Sequence, residues 1–206
     1  MKTFNFEIKN PGKIKQTLSR CILRLWGWKI EGELPDAPRY LYLFEPHTSN
    51  RDGFVTYFVT VALGIRLRWL GKHTLFELKP FIGRFLIRIG GIPVDHNSPA
   101  GLVEQVANKI KQQERCILAI MPSGSRFPEP HWKSGFYRIA RHAEIPVLCV
   151  YIDNQRKVVG FADFIHLTGN VKYDMDRIRL CYRTAMGDRA EINTPIRLRN
   201  EETNLG

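Results

Sequence analysis

RYLYLFEPHTSNRDGFVTYFVTVAL, residues 39–63, is the stretch that decides the fold. Its first part, Arg39 to Phe44, is a short apolar run rich in strand-forming residues. Its last part, Ser49 to Leu63, is too long for a typical strand and reads as a helix. Between them HTSNRD, residues 47–52, places a histidine, two hydroxyls, an amide and two opposite charges. A strand that passes through such a loop into a helix begins a β–α–β unit.

The rest of the chain repeats that rhythm. Ile65 to Leu70 reads as a strand, Pro80 to Ile89 as a short helix, Ile92 to Val94 as a short strand and Pro99 to Gln113 as a helix. Cys116 to Met121 is a strand, Lys133 to Ala143 a helix and Pro146 to Ile152 a strand. Lys157 to Leu167 adds strand, and Asn170 to Arg183 closes with a helix whose apolar side carries Val171, Met175, Ile178 and Tyr182. The expected fold is α/β, with a largely parallel central sheet flanked by helices. In such folds ligands gather beyond the carboxyl ends of the strands. HTSNRD and the loop MPSGSR, residues 121–126, both fall there.

Ahead of the first strand, residues 13–30 read KIKQTLSRCILRLWGWKI. Ile14, Leu18, Cys21, Ile22, Leu25 and Trp26 recur on one helical face, with Lys13, Lys15, Arg20 and Arg24 off it. This predicts an N-terminal amphipathic helix within residues 1–30, serving either as an interfacial membrane anchor or as a cover for the core.

At 206 residues the chain is expected to be a single domain, and its formal charge of +11 suits an anionic membrane face, nucleic acid, or a phosphorylated or CoA-linked substrate. Cys21, Cys116, Cys149 and Cys181 include no CxxC pair, so they read as reduced thiols and not as a metal site. No signal-peptide pattern occurs, and no run reaches the roughly 20 apolar residues of a membrane span. The expected location is cytoplasmic, peripheral on the inner face of the cell membrane.

Within HTSNRD, Ser49 and Asp52 fit a capping box at the start of the helix. That leaves His47 unexplained. A carboxylate on the first helical turn is placed to reach back to an imidazole in the loop, fix its tautomer and leave the other nitrogen as a general base. MPSGSR ends a strand with Ser123, Gly124 for a tight turn, Ser125, and Arg126 as a forked donor to phosphate or carboxylate. LGKHTLF (70–76) and GGIPVDH (90–96) add Lys72, His73, Asp95 and His96, of which His73 reads as structural.

Taken together these blocks resemble the glycerolipid acyltransferase family, which includes the 1-acyl-glycerol-3-phosphate acyltransferases. HTSNRD matches its His-x4-Asp block and GGIPVDH stands at its G-x-[IF]-x-[IV]-D-R block. MPSGSR stands at F-P-E-G-T-R, and Ile145-Pro146-Val147 at the Pro-containing strand, with WKSGFY (132–137) in support. The resemblance implies that His47 is the base, that Asp52 orients it, and that a hydroxyl acceptor attacks an acyl-CoA or acyl-carrier-protein thioester. It requires no cofactor or metal. Ser123, Gly124, Ser125, Arg126, His96 and Lys72 would bind substrate. The implied partners are the acyl thioester donor, a lysophospholipid or other hydroxyl acceptor, and an anionic membrane surface, with no nucleic acid.

Three polar positions depart from the pattern. His96 replaces the usual arginine, Ser123 the usual glutamate and Ser125 the usual threonine. An altered acceptor, thioesterase activity or a dead lipid-binding relative are the alternatives these raise. The chain has no G-x-S-x-G elbow for a serine esterase and no clustered basic motif for nucleic acid.

Overall fold

The computed structural model describes residues 10–46, 49–94, 99–125, 127–187, 194–199 and 201. In chain order the elements are α1 (Lys13–Leu25), β1 (Lys29–Glu31), β2 (Arg39–Glu45), α2 (Asn50–Ala62), β3 (Arg68–Lys72), α3 (His73–Glu77) and α4 (Pro80–Arg88). There follow β4 (Gly91–Val94), α5 (Pro99–Lys111), β5 (Cys116–Ile120), α6 (Gly135–Ala143), β6 (Val147–Asp153), β7 (Val158–Ile165) and α7 (Val171–Met186).

The strands form one seven-stranded sheet in the order β1-β7-β6-β2-β5-β3-β4. The run from β6 to β4 is parallel throughout, while β7 is antiparallel to β6 and carries β1 parallel to itself at the edge. The expected largely parallel sheet is therefore what forms. Its central strand, β2, is buried on both faces, which is why Tyr40 to Phe44 reads as continuous apolar sequence and not as alternation.

Alternate residues of each strand serve two cores. Leu41, Leu43, Leu118 and Cys149 meet Val106 and Ile110 of α5, Phe136 and Ala140 of α6, and Met175, Ile178 and Tyr182 of α7. Tyr40, Tyr42, Phe44 and Val150 meet Leu23 of α1 and Val55 and Val59 of α2. The helices α3 and α4 join this second layer. Trp69 is in register with Ala119, which packs with the second core, and with Gly91. Its ring stacks on Phe76 of α3 at 5.7 Å. In α4, a Cβ on Gly83 would come within 2.1 Å of the Phe76 carbonyl oxygen, so only glycine permits α4 to lie this close to α3. Thus α1 to α4 cover one face of the sheet and α5 to α7 the other.

The N-terminal helix differs from expectation. It ends at Leu25 instead of running to residue 30, because Gly27 turns the chain with φ of 77°, Trp28 folds inward and Lys29–Glu31 pair with β7. Its apolar stripe is not the buried one. Ile14, Leu18 and Leu25 are 86%, 59% and 85% exposed, while Ser19 and Leu23 face the core. The strand expected at Ile65 begins instead at Arg68, and α3 had no counterpart in the sequence reading.

Cys116, Cys149 and Cys181 are buried and Cys21 is exposed. Burial pushes the Cys116 thiol up to about 12. The hydrogen bond with Cys181, then burial, raises that of Cys149. Both are therefore protonated and unreactive at about pH 8. Alkylation of the native protein should modify Cys21 rapidly and the buried three only on unfolding, which peptide mass mapping would check.

Candidate active site

Parallel strands bring their carboxyl ends to one edge, so the loops after β2, β3, β4 and β5 share it. The neighbours β2 and β5 leave that edge for opposite faces. The chain after β2 enters α2 on the face of Tyr42 and Phe44, whereas the chain after β5 reaches α6 on the face of Leu41 and Leu43. Divergence of this kind is a topological switch point and opens a crevice between the two loops. Those loops are HTSNRD and MPSGSR.

On the first wall Ser49 caps α2 in an extended conformation and forms the capping box with Asp52. The Asp52 carboxylate is fully buried. Its Oδ2 accepts the Ser49 N–H at 2.8 Å, and its Oδ1 accepts the Ser49 hydroxyl at 2.9 Å. Oδ1 also accepts from the Asn154 side-chain amide at 3.2 Å, while the Asn154 carbonyl oxygen accepts from Arg51 at 2.9 Å. The negative group thus sits at the positive end of the helix dipole, clamped by the turn that follows β6. Asn154 was not foreseen, because nothing in its local sequence links it to residue 52.

On the second wall the turn is fixed by backbone bonds from Gly124 N–H to the Met121 carbonyl (3.0 Å) and from Lys133 N–H to the Pro122 carbonyl (2.8 Å). Ser123 is only 2% exposed. Its hydroxyl donates to the Ser125 carbonyl at 3.1 Å, and its N–H donates to Oε1 of the buried Glu45 at 2.9 Å. Ser125 Oγ accepts the Phe127 N–H at 3.1 Å. Gly124 has φ of +65°, and a Cβ there would lie 2.9 Å from Lys133 Nζ, so the absence of a side chain lets the ammonium lie over the turn. Lys133 and Glu45 were both missed as site residues. Lys133 lies within WKSGFY, which the sequence reading used only as motif support, and Glu45 reads as the last residue of an apolar strand.

Lys72 ends β3 on the same edge and is exposed. His73 begins α3. His47, Asp95, His96 and Arg126 lie outside the described residues, so the first-block histidine, the second-block aspartate and histidine and the third-block arginine stand as sequence expectations. Among the described residues no group of His, Cys, Asp and Glu is arranged to hold a metal.

The α1–α4 layer presents large apolar side chains to solvent. Ile14, Leu18 and Leu25 come from α1, Phe54 from α2, and Leu75, Leu78, Phe81, Phe85 and Ile87 from the α3–α4 segment. Acidic residues are nearly absent there. Residues 13–30 contain none, and residues 63–94 set Glu77 alone against Arg66, Arg68, Lys72, Lys79, Arg84 and Arg88. No described helix is long and apolar enough to cross a membrane.

Residues 29–153, from β1 through the last residue of β6, match the Acyltransferase family, and the chain belongs to it. Both walls of the crevice lie inside the match. In fold the chain is similar to the crystal structure of the 1-acyl-sn-glycerophosphate (LPA) acyltransferase, PlsC, from Thermotoga maritima. The TM-score is 0.58 at 13% identity, over 84% of this chain and 77% of that one. No curated protein sequence matches the chain.

The geometry changes what Asp52→Asn should do. If Asp52 served only to orient a base, the substitution would leave stability nearly untouched. With Asp52 buried and accepting from the Ser49 N–H, the Ser49 hydroxyl and the Asn154 amide, an amide turns an N–H2 toward at least one donor. We expect a loss of about 1–2 kcal/mol of stability in addition to any loss of rate, measured by denaturant unfolding.

Proposed function

We propose that the protein moves a fatty acyl group from acyl-CoA or acyl-carrier protein to a hydroxyl of a glycerol-phosphate-type acceptor such as lysophosphatidic acid. The observation that carries this reading is the coincidence of the family match with the switch-point crevice: the polar blocks that resemble the family's motifs stand at its two walls. The acceptor class takes its support from the motif resemblance and from the name of the fold neighbour, which acts on 1-acyl-sn-glycerophosphate.

In this mechanism His47 withdraws the proton of the acceptor hydroxyl as its oxygen attacks the thioester carbonyl. The tetrahedral adduct collapses, the acyl ester forms, and the thiolate leaves with a proton returned by the imidazolium. Asp52 orients the imidazole and stabilises its charged form. Because a thioester is already activated, much of the acceleration comes from holding hydroxyl, base and carbonyl together. The cations Lys72, Lys133 and Arg126 are suited to the phosphates of donor or acceptor.

The same reading gives the apolar layer a purpose. We propose that the protein is peripheral on an anionic bilayer, contacting it through α1 and through α3–α4. Exposed apolar ridges flanked by cations and almost free of acids match the surface of such a membrane. Two points of contact keep the protein at the surface where a lysolipid acceptor resides.

The test is thiol release from long-chain acyl-CoA across a panel of hydroxyl acceptors, with lipid products identified. His47→Ala should reduce acceptor-dependent turnover about 100-fold or more while leaving the thermal midpoint unchanged. Undiminished turnover would remove His47 from the base role, and release without acceptor would make the protein a thioesterase. For the membrane, Leu18→Glu and Phe85→Glu change exposed side chains and should each weaken sedimentation with phosphatidylglycerol vesicles several-fold without loss of fold. Point changes are the better probe here, since deleting residues 1–30 would also remove Leu23, Trp28 and part of β1 from the folded core.

A further inference from the structure

We infer that Glu45 supplies, from the end of β2, the carboxylate that the third block of this chain lacks, and that it acts as a positioning residue for the Ser123-Gly124-Ser125 turn. Three observations meet here. First, Glu45 is only 4% exposed, and a carboxylate is kept out of water only at a cost unless it is bonded. Second, its Oε1 accepts the backbone N–H of Ser123 itself, 2.9 Å away. Third, Ser123 is the position where F-P-E-G-T-R would place a glutamate, and here that side chain is a small hydroxyl turned onto its own loop.

The topology explains how one strand can serve the other's loop. The ladder between β2 and β5 ends at Leu43 and Ile120, and beyond it the strands part. By alternation Glu45 points to the same face as Leu41 and Leu43, toward the chain leaving β5 for α6. From there it ties the two walls of the crevice together just where they separate. It stands two residues before His47, so a force that fixes the turn also fixes the chain entering HTSNRD.

A glutamate at position 123 would set a second carboxylate beside a buried first one, and like charges that close oppose each other. Restoring the family's residue at position 123 is therefore not a gain for this chain. Ser123→Glu should harm this protein, and should do so because Glu45 is present.

The experiment compares wild type, Glu45→Ser, Ser123→Glu and the double variant that carries both changes. The rate readout rests on the acyl-transfer reading, so thermal midpoints are measured on the same four proteins and need no substrate. Each single change should lower acceptor-dependent turnover about tenfold or more, and the double should recover to within a few-fold of wild type. Its midpoint should lie above that of Ser123→Glu. Losses that simply multiply in the double, with a midpoint no higher than that of Ser123→Glu, would overturn the inference. If wild type turns over no substrate, the acyl-transfer reading fails by itself, and the order of midpoints still decides the role of Glu45.

Should Ser123→Glu not fold, Glu45→Ala and Glu45→Gln replace it. The glutamine retains an oxygen for the Ser123 N–H and should keep the midpoint, whereas alanine should lower it and increase amide exchange at Ser123. Wild-type midpoint, exchange and kinetics in Glu45→Ala would equally overturn the proposal.

Discussion

The parallel pairing of β2 with β5 on one side and β6 on the other is the constraint on which the rest depends. Backbone hydrogen bonds align three strand ends, yet the chain must leave them for different faces of the sheet. Where β5 leaves β2, ladder bonds end and polar backbone groups must find other partners. The Leu43 carbonyl finds the hydroxyl of Tyr182, 2.7 Å away, which also reaches the Val150 carbonyl of β6 at 3.3 Å. Burial holds that phenol well above its ordinary pKa, so it remains a donor. Glu45 does the corresponding work one step further out, on the Ser123 N–H. The crevice is thus a place where a sheet stops and side chains take over its hydrogen bonding.

This explains the composition of the loops. Asp52, Ser123 and Ser125 spend side-chain oxygens on local backbone and Ser49 spends its hydroxyl on Asp52, which gives the crevice walls a fixed shape without regular secondary structure. Capping and chemistry are then not rival explanations for HTSNRD. A carboxylate that caps α2 is held still by the cap, and a group held still is what an orienting residue must be.

Most of the fold was legible because its signals were long and consistent. The helix after HTSNRD, the Pro80 helix, the buried strands and the face of α7 all extend over enough residues for period or apolar length to show. The failures were short or local. The five residues of α3 and the three of β1 are too few to display a period, and the sequence around β1 continues the pattern of the helix before it. The apolar stripe of α1 was found correctly, but whether it faces core or solvent depends on what packs behind it. In the site, Asp52, Ser123 and Gly124 were visible through spacing and turn chemistry. Asn154 and Glu45 were not, since each meets a neighbour brought close only by the strand order, and Lys133 was not, since the connection from β5 to α6 folds it back over its own turn.

The placement of β1 has a consequence for how the protein is made. Lys29 pairs with Val158 and Ile30 with Val159, so an early strand waits for a late one. The helices with the exposed apolar ridges, α1 to α4, all leave the ribosome before β5, β6 and β7 exist to complete the sheet beneath them. During that interval the nascent chain presents the half that carries the exposed apolar side chains, without an assembled crevice. On the proposed membrane reading, attachment then precedes completion of the sheet, and the order of elements along the chain becomes an order of events.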